Sequence, residues 1–335
     1  HQFKSTNYFK KQSDIVKILA LSTPCAFDWD GDGKEDIIAG NSAGEMALIR
    51  NLTGGDNPTW AAPEFFKVDG QPIRIQAGEN GSIQGPAERK WGYTVLSVAD
   101  WDGDGYPDII TNSIWGKIEW FRNKGGKGTL ELEPAKPVRV AWAGEAPKPE
   151  WNWWNPEPGT LVTQWRTTPV ATDWNGDGLT DLIVLDTDGY LSYFERFRTL
   201  SGELMLRPGR RIFHGTNCSV YDQKKGVVND AEGLLQLNEV KAGWSGRRKI
   251  CFLDWDGDGL KDLLVDSKNV AWFRNVKEEN GEVWYEYMGD LRKWPLAGHS
   301  TCPTPIHWRK DGVPELLVGA EDGHFYRIAN DNIKK

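Results

Sequence analysis

Four stretches of this 335-residue chain crowd carboxylates around glycine turns. Asp28-Trp29-Asp30-Gly31-Asp32-Gly33-Lys34-Glu35-Asp36 recurs at residues 100–108, 173–181 and 254–262. Side-chain oxygens stand at positions 1, 3, 5 and 9 of each copy: Asp28, Asp30, Asp32 and Asp36; Asp100, Asp102, Asp104 and Asp108; Asp173, Asn175, Asp177 and Asp181; Asp254, Asp256, Asp258 and Asp262. Position 7 adds a backbone carbonyl from Lys34, Tyr106, Leu179 or Leu260. Hard oxygen donors at this spacing suit Ca²⁺, which takes roughly six to eight of them in a flexible shell. Without a cation such neighbouring carboxylates repel. About four structural calcium sites are therefore expected. A fifth copy, His307-Trp308-Arg309-Lys310-Asp311-Gly312-Val313-Pro314-Glu315, has lost its first two acidic ligands and is expected to hold no ion.

A second set of chemical groups lies in long segments between the copies. Arg74–Tyr93 brings Glu88, Arg89, Lys90, Trp91 and Tyr93. Trp142–Thr167 brings Trp151, Trp153, Trp154, Glu157 and Arg166, and Gly215–Gly246 brings Tyr221, with His214 before it and Arg247 after it. Ala297–Pro305 adds His299. His214, Tyr221 and Tyr93 are candidate proton acceptors or donors, and Arg89 and Lys90 are candidate neutralisers of a developing anion. Trp91, Trp151, Trp153, Trp154, Arg166, Arg247 and His299 are candidate ligand contacts. A Trp-rich, Pro-rich loop offers faces for sugar rings, although the same tryptophans could fold back and pack on one another.

The elements that must position these groups read as strands. Each Asp motif is followed by an apolar run (Ile37-Ile38-Ala39, Ile109-Ile110-Thr111, Leu182-Ile183-Val184, Leu263-Leu264-Val265, Leu316-Leu317-Val318), a turn and a further strand. Motif starts are 72, 73, 81 and 53 residues apart, with no helical period between them. Such spacing predicts an all-β fold of four-stranded units, five in number: a β-propeller forming one domain over residues 1–335. The last copy lacks a fourth strand, and Ser13–Leu19 is a spare one before the first motif. The N-terminal strand is therefore expected to complete the last blade and close the ring, which removes open sheet edges. Loops alternate between the faces of a propeller, so the Asp loops and the long inserts are expected on opposite faces.

The Asp loops with their Asp-Ile-Ile strands resemble VCBS and FG-GAP repeats over nearly the whole chain. The resemblance implies a calcium-binding propeller similar to those of secreted polysaccharide lyases, and it also fits adhesion modules. It implies a secreted, periplasmic or cell-surface protein. Charge agrees with an acidic ligand. The chain has 48 acidic residues against 40 Lys and Arg, but with the fifteen loop carboxylates set aside the balance turns basic. The expected partner is an acidic polysaccharide or glycan, the expected state a monomer, and nucleic acid is disfavoured by the net charge. No apolar run approaches the roughly 18 residues of a membrane span. Cys25 and Cys251 sit in apolar runs and read as buried thiols, whereas Cys218 and Cys302 lie in adjacent inserts and could pair.

Three functions fit these residues. One is a lyase working by β-elimination next to a uronate. One is a non-catalytic glycan- or protein-binding propeller. One is a glycoside hydrolase using paired carboxylates from Glu88, Glu157, Asp186 and Glu321. Walker, dinucleotide and serine-elbow motifs are absent from the sequence.

Overall fold

The computed structural model describes residues 20–149, 152–222, 225–238, 246–296, 300–307 and 311–331. The architecture is all-β, with one short 3₁₀ turn among the described residues at Pro86–Glu88, and the sheets form five blades of a propeller. The inner strands are Thr23–Phe27, Val95–Ala99, Val170–Thr172, Ile250–Leu253 and Cys302–Ile306. Each pairs antiparallel with the strand leaving its Asp loop, always in the same register. The residue before the motif faces motif position 9: Phe27↔Asp36, Ala99↔Asp108, Thr172↔Asp181, Leu253↔Asp262 and Ile306↔Glu315.

The second strands explain why the ring holds. Successive side chains of a strand point to opposite faces, so the paired apolar residues serve two neighbours at once. Ile38 packs with Leu96, Val98 and Ile109 of the second blade, while Ile37 packs with Ile306, Leu317 and Phe325 of the fifth. Ile110 meets Leu182 and Val184, Ile183 meets Leu263 and Val265, and Leu264 meets Leu316 and Val318. There are thus five inter-blade cores, and the one between the fifth and first blades closes the ring. Trp29, Trp101 and Trp255, at position 2 of the motif, are buried in three of these cores. Burying such large rings is a major favourable term.

Strand number departs from four per blade. The first two blades have four strands, but among the described residues the third and fifth have three. The fourth is a six-stranded sheet. The chain leaving blade 3 does not add an outer strand to that blade: Phe213–Gly215 pairs parallel with Glu282–Asp290 of blade 4, and Gly233–Leu234 adds one more edge. The cause is the long hairpin Ala271–Glu279 with Glu282–Asp290, whose exposed edge accepts the incoming chain. Closure by Ser13–Leu19 falls outside the described residues, as do Trp151 and His299.

The Cys218–Cys302 pairing is not formed. Both are free buried thiols, Cys218 within the core between blades 3 and 4 and Cys302 on the inner strand of blade 5. Burial pushes the Cys218 thiol up to about 11 and raises that of Cys302 as well, so both behave as small apolar groups. Among the described residues no helix is long and apolar enough to cross a membrane.

Candidate functional site

The Asp loops share one backbone design. The position-1 carboxylate accepts three N–H groups in every copy, for example Gly31 at 2.8 Å, Asp32 at 3.0 Å and Gly33 at 2.9 Å onto Asp28. The N–H of position 7 (Lys34, Tyr106, Leu179 and Leu260) donates to the position-5 aspartate at 2.8–3.0 Å. The position-9 carboxylate is buried and takes the N–H of position 2. Carboxylate oxygens converge within 4.8 Å in three loops: Asp28, Asp30 and Asp32; Asp100, Asp102 and Asp108; Asp254, Asp256 and Asp258. The third loop, with Asn175 in place of an aspartate, keeps the backbone pattern.

Two observations say that these loops fit a metal ion. Burial and the neighbouring aspartates push Asp36 up to about 6, Asp108 to about 7 and Asp262 to about 6. The Asp102 Oδ1 atom is buried with no hydrogen-bond partner. The loops are not purely acidic, however. Arg122 reaches Asp102 at 2.5 Å and Asp104 at 2.9 Å, Arg274 reaches Asp256 at 2.6 Å and Asp258 at 3.1 Å, and Arg50 lies 3.7 Å from Asp30. Third-strand arginines are therefore consumed by the loops, and the basic excess expected for the rest of the molecule shrinks. In the fifth copy Glu315 at position 9 is buried and pairs with Arg327, Nη2 to Oε1 at 2.7 Å. That ion pair comes from the third strand of the blade.

On the opposite face, where the inner strands begin, a cavity of about 320 Å³ opens over the propeller axis. Its wall includes one equivalent residue from each blade, seven positions before the motif: Leu21, Tyr93, Arg166, Arg247 and Ser300. Four of them are left-handed, with φ of 59°, 50°, 61° and 46°. Non-glycine residues are uncommon there, and such strain clusters at functional sites. Hydrogen bonds to an adjacent blade hold the conformation: Leu21 N–H to Glu321 O at 3.2 Å, Tyr93 to Ser42 at 3.3 Å, Arg166 to Ser113 at 3.0 Å and Arg247 to Trp165 at 3.1 Å. Glycine precedes two of them because nothing larger fits. A Cβ on Gly92 would lie 1.8 Å from the Ile75 carbonyl oxygen, and one on Gly246 1.5 Å from that of Trp165.

The cavity is cationic and aromatic. The Arg166 guanidinium is sandwiched between Tyr93 at 3.3 Å and Trp165 at 3.9 Å. Its Nη2 donates to Glu88 Oε1 at 3.0 Å, while Nε and Nη1 are buried without partners. The Tyr93 hydroxyl donates to the same carboxylate at 3.2 Å. Burial lowers the Arg166 guanidinium to about 10. Lys249, only 7% exposed, donates to Arg247 O at 3.0 Å. Burial pulls its ammonium down to about 8, against the pull of Asp266 behind it. Arg247 Nε is buried and unpartnered too. Trp91 stacks on Tyr93 and is 41% exposed at the rim. Ser42, Thr94 and Thr301 add hydroxyls.

Of the sequence candidates, Tyr93, Trp91, Arg166 and Arg247 converge here. Arg89 and Lys90 do not line the cavity; both are exposed on the loop beside it. His214 lies on the outer edge of blade 4, stacked on Trp284 and 2.5 Å from Glu282. Tyr221 is buried in the core between blades 3 and 4, which raises its hydroxyl far above the ordinary value. Neither is placed for catalysis at the axis. Trp153 stacks on Trp115 at 5.3 Å and the Trp154 indole N–H donates to Trp115 O at 2.7 Å, so that loop folds back rather than standing free. Glu321, a candidate carboxylate in the sequence, also lines the cavity, whereas Lys249, Thr94 and Ser300 were missed. The signal that finds them is the repeat itself: aligning the five copies back to seven residues before the motif marks the ring that lines the mouth.

A model of the FG-GAP-like repeat matches residues 28–111 and 100–184. Within residues 28–184 the chain carries repeats similar to the FG-GAP-like repeat. No curated protein matches it. Among solved structures, a lectin from Agrocybe aegerita, described for specific recognition of non-reducing terminal N-acetylglucosamine, aligns at 16% identity and a TM-score of 0.38, covering 93% of this chain and 81% of that one. BBS1N, solved in complex with ARL6DN, aligns at 10% identity and a TM-score of 0.36, covering 96% of this chain and 97% of that one. Likeness at that level carries no argument about function.

Proposed function

We propose that this is a calcium-clipped propeller that recognises a carboxylate-bearing sugar, as at the end of an acidic glycan, in the axial cavity. The supporting observation is the convergence of Arg166, Arg247 and Lys249 on one cavity with buried guanidinium N–H groups left unpartnered. Unpaired buried donors are costly, and a carboxylate would satisfy them with charge-assisted bonds. Tyr93 and Trp91 offer ring faces for the sugar. Calcium would be held by Asp28, Asp30, Asp32 and Asp36 and their counterparts in blades 2 to 4, on the other face. It would stabilise the loops and take no part at the axis. A secreted or cell-surface setting supplies both calcium and glycans.

A second reading, β-elimination at the same cavity, is favoured by Lys249. An amine lowered to about 8 is suited to accept a proton near neutral pH. Its Nζ would take the proton on the carbon next to the uronate carboxyl, which Arg166 and Arg247 neutralise. The carbon–carbon double bond forms as the glycosidic C–O bond breaks, and the departing oxygen takes a proton from the Tyr93 hydroxyl. Titration calorimetry with oligouronates tests the first reading. Ultraviolet absorbance of the unsaturated product, followed in the same samples, tests the second. Heat without absorbance leaves a binding propeller, heat with absorbance makes it a lyase, and no heat with any acidic oligosaccharide removes both.

A further inference from the structure

A cleft of about 520 Å³ separates blades 2 and 3 on the side of the Asp loops. One of its lining residues, Arg196, departs from the repeat. Just after the third strand in blades 1 and 2, and at the matching position within Ala271–Glu279 of blade 4, stand Asn51, Asn123 and Asn275. In each, the backbone N–H binds the position-9 aspartate at 2.7–2.8 Å, and the amide closes the loop of its own blade, on Glu35 O, Gly126 O and Lys261 O. Blade 3 has Arg196 there. Its N–H still binds Asp181, at 2.6 Å. Its side chain leaves the blade, lies 3.7 Å over the Trp101 ring and donates Nη2 to Trp101 O at 3.0 Å.

Arg196 is only 4% exposed, yet Nε and Nη1 have no partner. Asp181, Asp102 and Asp108 lie nearby, but none of them accepts from these two nitrogens. Asp102 pairs with Arg122 through Oδ2, and its carboxylate belongs to the converging group of loop 2. Around Arg196 the cleft presents Lys136, Arg139 and Arg198 against the carboxylates of Asp102 and Glu203, with the Trp120 ring as an apolar wall. A buried guanidinium with two unfilled donors, facing a cavity rimmed by three more cations, lacks an acceptor.

We propose that this cleft is a second ligand site, separate from the axial cavity, which takes an oxyanion such as a sulfate group, with Arg196 as its anchor and Arg139, Arg198 and Lys136 at the rim. The anion comes either free in solution or as an ester on a sugar that rests on Trp120. The proposal is independent of what the axial cavity binds.

The test uses the full chain saturated with calcium. Sodium sulfate, and separately a sulfated disaccharide, is titrated at constant ionic strength while the arginine Nε–Hε signals are followed by NMR. A saturable shift of the Arg196 signal is expected. The variant Arg196→Asn restores the residue of the other blades, keeps the N–H bond to Asp181, and should fold; it is expected to weaken the binding at least ~10-fold, through loss of a charge-assisted donor. Should that variant fail to fold, Arg139→Ala with Arg198→Ala, both exposed, is expected to weaken the shift at a folded Arg196. Response to sulfate alone assigns a free anion, and a much tighter response to the disaccharide assigns a glycan ester. Absence of any saturable shift, or equal affinity in Arg196→Asn, overturns the proposal. So does a variant whose only defect is weaker calcium binding by loop 2, because Arg196 would then be a counter-ion to that loop.

Discussion

Replacing Lys249 with methionine should make the protein more stable and its axial cavity a poorer anion site. Lys249 is buried, and its ammonium falls from the ordinary 10.5 to about 8. The groups facing it are Asp266, already paired with Arg248, then Cys302, Arg247 and Arg166. At 1.36 kcal/mol per pH unit, holding the charged form in this place costs roughly 3 kcal/mol. The penalty is complete below pH 8, where the lysine is charged in both the folded and unfolded states. Between pH 8 and 10.5 the unfolded chain binds more protons than the folded one, so stability rises with pH across that window. Methionine fills similar volume, removes the charge, and loses the hydrogen bond to Arg247 O, worth about 1 kcal/mol. Lys249→Met should therefore unfold about 2 kcal/mol harder than the parent at pH 7. That advantage should fall by roughly 3 kcal/mol, and so reverse, by pH 10.5. Urea unfolding at saturating calcium over this pH range measures the difference curve, which cancels titrations common to both proteins. A difference that does not change with pH, or one that grows, refutes the assignment of a buried charged lysine. The same protonation predicts that affinity for a carboxylate ligand declines as pH rises through about 8 in the parent and stays level in the variant.

Chelation should lower the melting temperature, since a site filled to about 100 times its Kd contributes about 2.7 kcal/mol; scanning calorimetry with and without chelator checks this, and an unchanged melting temperature removes the metal assignment. Gly246→Ala should destabilise the mouth and weaken ligand binding with no lining side chain altered, because its Cβ would meet the Trp165 carbonyl at 1.5 Å; calorimetric titration of the folded variant is the readout. Tyr285→Phe should be neutral or stabilising by about 1 kcal/mol, as the buried Tyr285 hydroxyl has no partner; a loss above that in urea unfolding would reveal an internal partner. His214→Ala should leave oligouronate affinity unchanged, because His214 sits at the outer edge of blade 4.

Much of the fold was legible because each repeat states it separately. Asp-Ile-Ile after a glycine turn occurs with few changes in register, and two adjacent apolar residues on one strand can only be buried if both faces of the sheet are covered. That requirement implies neighbours on either side, hence a ring. The four loops followed from the same repetition. The edges were less legible. Phe213–Gly215 reads like any outer strand, and its attachment to blade 4 depends on the length of a hairpin some 60 residues later. For the site, position in a long insert proved a weak guide. Tyr221 and Arg166 come from inserts with similar composition, yet one packs in a core and the other lines the axis.

By itself the sequence determined the chemistry that repeats: carboxylates on tight turns, a tryptophan beside each, and strands apolar on both faces. These depend on residues close together in the chain. Only the tertiary structure decided which unique side chains meet. Arg166, Arg247 and Lys249 come together because ring closure brings the starts of distant inner strands to one axis. Whether a basic residue is a solvated charge or a buried unpartnered donor depends on the neighbours that closure supplies, and no local pattern encodes them. Arg196 makes the same point on the other face: an Asn-to-Arg departure visible in the sequence acquires meaning only when the adjacent blade places Trp101 beneath it.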